Sequence, residues 1–72
     1  MNLETFNKLM EFCGYLADDS KRKALQLVMV GGLSQRAAAS VVGYNPSQLN
    51  QVYTRVRREI ARVEKLIGGT LQ

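Results

Sequence analysis

The apolar residues of this chain recur at three- and four-residue intervals, the spacing that collects side chains on one face of an α-helix. Leu3, Phe6, Leu9, Met10, Cys13 and Leu16 form the first such set, and Asn2 stands where a helix cap belongs. A second set, Ala24, Leu25, Val28 and Met29, follows Asp18, Asp19 and Ser20, any of which can start a helix. Gly31 and Gly32 close it. Ser34 is expected to cap a third, short helix over residues 35–42, with Gly43 behind it. The fourth helix has the clearest start. In "NPSQ", Asn45 can accept from an unpaired backbone N–H, and Pro46 brings a preset φ to the first helical position. Gln48, three residues after the cap, completes a capping-box-like arrangement. No breaker then intervenes before Gly68 and Gly69. Nothing alternates as a strand would. The expected fold is all-α, a small helix–turn–helix domain of about four helices with a long fourth, in a single domain over residues 1–72.

The third and fourth segments say more than their periodicity. A helix–turn–helix joins two steeply crossing helices by a turn of about 3–4 residues that often contains glycine. Close crossing needs small side chains, which Ala38 and Ala39 supply, and the turn needs a residue tolerant of positive φ, which Gly43 supplies. Tyr44, Leu49 and Val52, with Val56 one turn later, then return apolar side chains to the first helix of the pair. The order Gln35, Ala39, Gly43, Leu49, Val52 therefore predicts a helix–turn–helix core over residues 34–58.

At about 100° per residue, Leu49, Val52, Val56, Ile60, Val63 and Ile67 share one face of the fourth helix. The opposite face collects Ser47, Gln51, Thr54, Arg58 and Arg62, with Arg55 on its shoulder. Amides and hydroxyls come first; arginines accumulate afterwards. In a helix–turn–helix the start of the second helix enters the DNA major groove. There glutamine can bond two edge atoms of adenine, arginine two of guanine, and threonine offers a methyl or a hydroxyl. Arginines farther along, Arg58 and Arg62, would meet phosphates, which fix register and supply salt-dependent affinity. Ser34, Gln35 and Arg36 join them as phosphate candidates, because the N-terminus of the third helix can donate backbone N–H groups to an anion.

Charge supports this direction. Residues 1–19 carry Lys8 against Glu4, Glu11, Asp18 and Asp19, a balance of −3, whereas residues 20–72 carry nine basic residues against Glu59 and Glu64, a balance of +7. Such segregation points the second part toward a polyanion. "KRK" at residues 21–23 fits either a phosphate contact or simple solvation. Catalytic chemistry finds little material. With no histidine and Cys13 as the single cysteine, a zinc site or a histidine-activated nucleophile is not expected, and Asp18 and Asp19 read as a helix start. No enzyme activity, metal, cofactor or small-molecule ligand is expected. No apolar run approaches the roughly 18 residues of a membrane span. That and the lone thiol suggest a cytoplasmic protein.

On "GLSQRAAASVVGYNPSQLNQVYTRV" the chain resembles the KorA/TrfB family of plasmid-encoded transcriptional repressors. Glutamine, alanine and glycine stand at the family's spacing, Gln51, Arg55 and Val56 fall in a family-like "Q-x-x-x-R-V", and the preceding "LVMVGG" is similar as well. The resemblance is clear over roughly residues 24–58 and loose in the first helix. It implies an all-helical fold that binds a palindromic operator in double-stranded DNA as a homodimer and represses a promoter. It makes Gln51 and Arg55 the leading base-contact candidates, with Asn45, Ser47, Gln48 and Thr54 beside them. Fimbrial regulators of the PapB type and the promoter-reading domain of sigma factors are weaker resemblances. The chain departs from the family at Pro46, which has no hydrogen-bonding side chain, and it stops soon after the fourth helix, where the family carries a longer dimerisation segment.

Ile60, Val63, Leu66 and Ile67 continue beyond what the helix pair needs and are candidates either for packing on the first helix or for a two-fold contact. Such a contact would set two recognition helices one DNA turn apart, about 34 Å. The alternative function is a helical protein-interaction adaptor that docks the same basic face on an acidic partner; a nuclease has no carboxylate cluster to support it.

Overall fold

Asn2 starts the first helix by accepting the Thr5 N–H on Oδ1 at 2.8 Å. The computed structural model describes residues 1–70 and resolves this helix as α1 (Leu3–Cys13). It is followed by α2 (Ser20–Met29), α3 (Gln35–Val42) and α4 (Pro46–Ile67). No strand occurs among the described residues. The long dimension of the molecule, 36 Å, is close to the roughly 33 Å that the 22 residues of α4 span at helical rise.

Each helix begins on a side chain that satisfies backbone donors the helix cannot. Asp19 Oδ1 accepts the Lys21 N–H at 2.9 Å for α2, and Ser34 Oγ accepts the Ala37 N–H at 3.1 Å for α3. Gly14 ends α1 in the left-handed region at φ 80°, and the Tyr15 N–H returns to the Met10 carbonyl at 2.9 Å. The periodicity expects Leu16 to continue the first apolar stripe, but it lies beyond this stop and is exposed. Gly31 is held by sterics: a Cβ there would sit 2.7 Å from the Leu27 carbonyl oxygen.

All four helices contribute to one core. Phe6 and Met10 of α1, Leu25 of α2, and Leu49 and Val56 of α4 are its largest fully buried side chains, each worth about 1.5–3 kcal/mol of apolar burial. Ala24, Ala38 and Ala39 let the helices approach closely around them. Among the described residues no polar or charged residue is buried.

One polar clasp holds the α1–α2 connection. The Arg22 guanidinium donates to the Tyr15 carbonyl at 3.1 Å and to Asn7 Oδ1 at 2.9 Å, while the Lys21 ammonium lies 5.8 Å from the Tyr15 ring centre. Of "KRK", two members thus face the protein itself, and only Lys23 is fully given to solvent.

Candidate nucleic-acid interface

The turn between α3 and α4 occupies Gly43–Asn45. Gly43 takes φ 77° and donates its N–H to the Ala39 carbonyl, which also accepts the Tyr44 N–H at 2.8 Å. An added Cβ at Gly43 would meet nothing within 4 Å, so glycine is required there by backbone conformation alone. Asn45 Oδ1 then accepts the N–H groups of Ser47 at 2.8 Å and Gln48 at 3.3 Å. Gln48 takes part through its backbone donor, and its side chain makes no return bond to Asn45. Ala38 and Ala39 are fully buried, Leu49 packs in the same core, and Tyr44 and Val52 are half-buried against it. The two helices therefore pack on one core across a turn over residues 43–45.

With the apolar stripe of α4 turned into the core, its other side is open. Ser47, Gln48, Gln51, Thr54, Arg55, Arg58 and Arg62 are all exposed, as are Asn45, Ser34 and Arg36; Gln35 is half-buried. These side chains differ in what they have left to give. Gln48, Gln51, Arg55 and Arg58 make no hydrogen bond or ion pair within the described chain, so their full donor and acceptor sets face solvent. Thr54 Oγ1 donates to the Asn50 carbonyl at 2.8 Å, which leaves its methyl group and lone pairs. Asn45 and Ser34 spend an oxygen on their caps; the Asn45 amide NH₂ and the Ser34 hydroxyl proton remain. Arg62 already donates to Glu59 Oε1 at 3.2 Å, a surface pair that adds little stability but offsets the positive charge of Arg62.

Residue type and helical position could not distinguish these grades. Arg57, which the sequence did not single out, is also exposed, but lines a groove with Tyr53, Met29 and Glu64 away from the Gln51–Arg58 side.

The four apolar candidates for a contact between copies separate. Ile60 is only 4% exposed and belongs to the intramolecular core, so it is withdrawn from that role: the α4 stripe is still being covered by the other helices at this turn. Val63 is half-buried, and Leu66 and Ile67 are exposed.

Cys13, half-buried where α1 faces α4, has its thiol pushed above the usual range, first by burial and second by the Glu59 carboxylate. Among the described residues no group of three histidine, cysteine, aspartate or glutamate side chains is arranged to hold a metal ion. No described helix is long and apolar enough to cross a membrane. No family model, curated protein or solved structure matches the chain.

Proposed function

We propose that this protein is a sequence-specific double-stranded-DNA-binding regulator of transcription, a cytoplasmic repressor of the plasmid type that holds a palindromic operator as a homodimer. One observation carries the reading. Gln51, Arg55 and Arg58 lie exposed, without a side-chain partner among the described residues, on a helix whose opposite face is anchored in the core and whose start is fixed by the Asn45 cap. Side chains held on a rigid element and unsatisfied by their own chain are suited to reading base edges.

In this reading α4 enters the major groove by its first turns. Gln51 and Arg55 supply bidentate contacts to base edges, Ser47, Gln48 and the Asn45 amide sit at the entry, and the Thr54 methyl is free for a thymine methyl. Arg58, Arg62, Arg36 and the start of α3 at Ser34 and Gln35 meet phosphates. Repression follows from occupancy: a protein seated on promoter DNA excludes polymerase.

A mobility-shift titration against random-sequence duplex at two salt concentrations tests the reading. Binding that weakens steeply with salt and is outcompeted by one sequence class supports it. Binding without sequence preference, or none at all, overturns it in favour of an adaptor that uses this face on an acidic protein.

A further inference from the structure

α4 carries one carboxylate where its charge is otherwise basic. Over residues 46–63 it holds Arg55, Arg57, Arg58 and Arg62 against Glu59 alone. Glu59 stands four residues after Arg55 and three before Arg62, so both arginines are its neighbours on the helix surface. The two are engaged differently. Arg62 bridges to Glu59 at 3.2 Å, whereas Arg55 makes no ion pair within the described chain, although it lines one cleft with Glu59, Cys13 and Tyr15 at the end of α1. The Glu59 side chain is 29% exposed, against 75% for Arg62. Packing therefore holds the carboxylate beside Arg55. Its field reaches across the cleft, where it is the second cause, after burial, that raises the Cys13 thiol.

We infer that Glu59 is a specificity determinant that acts by repulsion, barring phosphates from Arg55 and leaving that guanidinium to base edges. The inference rests on the DNA-binding reading and names what keeps an arginine-rich helix from holding every duplex alike. A guanidinium forms paired hydrogen bonds with a phosphate as well as with a guanine edge, and phosphate contacts carry no sequence information. A phosphate drawn to the cleft side of Arg55 meets the Glu59 carboxylate, and like charges brought together disfavour that complex. A base edge carries no net charge and meets no such penalty. Glu59 also occupies Arg62, which withdraws a second guanidinium from indiscriminate backbone binding. At Arg62 the cost falls on every duplex. At Arg55 it falls on those that offer no matching base.

The test compares the duplex enriched from a random pool with a scrambled duplex of the same composition, by anisotropy titration of the full chain at about 50 and about 200 mM salt. Glu59→Gln keeps the side-chain shape and removes the charge. It is expected to tighten the scrambled duplex at least about threefold at the lower salt, and to tighten the enriched one less, so that the ratio between them falls. A damaged fold weakens both duplexes and does not imitate this gain. Arg55→Ala supplies the second arm. In the wild-type background it is expected to leave the salt slope on scrambled duplex unchanged, and in the Glu59→Gln background to lower it by about 0.9. A Glu59→Gln chain whose ratio is unchanged or higher overturns the inference. So does an Arg55→Ala effect on the scrambled slope that is the same in both backgrounds. Either result leaves the DNA reading standing and reduces Glu59 to a surface bridge. A wild-type chain with no preference between duplexes removes the reading and the inference together.

Discussion

Arg58→Ala isolates the electrostatic part of the proposed interface. Arg58 is exposed and has no ion pair within the described chain, so its replacement removes one positive charge without exposing a buried partner or altering a cap. A side chain that neutralises one phosphate releases about 0.9 of a counterion, and the slope of log K against log salt falls by that amount when it is lost. Between about 50 and about 200 mM salt this makes the defect about 3.5-fold larger at the lower concentration. Arg62→Ala is expected to change the slope less, because Arg62 is already bridged to Glu59 at 3.2 Å and so neutralises less of a phosphate's charge. Fluorescence-anisotropy titrations at four or more salt concentrations measure both slopes on preferred and on scrambled duplex. The reasoning requires Arg58→Ala to weaken both duplexes alike. An unchanged slope would refute the phosphate contact, and a defect confined to the preferred duplex would make Arg58 a base reader instead.

Other substitutions probe different links. Gln51→Ala and Arg55→Ala are each expected to cost about 1–3 kcal/mol on the preferred duplex and to relax preference at one base pair, read by competition against single-base variants. Ala39→Leu, at the fully buried crossing, is expected to destabilise by about 1–3 kcal/mol through overpacking, lowering the melting temperature by about 4–8 °C per kcal/mol in a domain this small. The Cys13 thiol, raised by burial and then by Glu59, is expected to react with iodoacetamide at a midpoint above that of a free thiol, and Glu59→Gln to bring that midpoint down. Because the folded chain holds this proton longer than the unfolded one, the stability linked to it is complete below the unfolded value. It is lost as pH rises from that value through the folded one; chemical denaturation of the wild type against Cys13→Ala across alkaline pH measures it.

What could be read from the sequence was what local chemistry decides. The caps at Asn2, Ser34 and Asn45 act on backbone groups two or three residues away, so their spacing alone announces them. Gly43 and the alanine pair were legible for the same reason: positive φ and close approach are steric demands few residues meet. Contacts across the chain were not legible. The Arg22 clasp joins residues 15 positions apart, and nothing in "KRK" distinguishes the arginine that turns inward from the lysine that does not. Periodicity assigned Ile60 and Ile67 to one stripe, yet where neighbouring helices stop covering it is a tertiary fact: Ile60 is buried and Ile67 is exposed. The same limit applies to the candidate interface. Its residues were named by type and face, but that Thr54 turns its hydroxyl to the Asn50 carbonyl and Arg62 its guanidinium to Glu59 depends on rotamers.

Selection of duplexes from a random pool by the full chain tests the central claim most directly, that the open side of α4 reads base sequence. The expected outcome is enrichment of a defined half-site, repeated with inverted symmetry about one helical turn apart, and loss of preference at one position of it in Gln51→Ala. A pool that remains random after repeated rounds, or enrichment that Gln51→Ala and Arg55→Ala leave untouched, would contradict it.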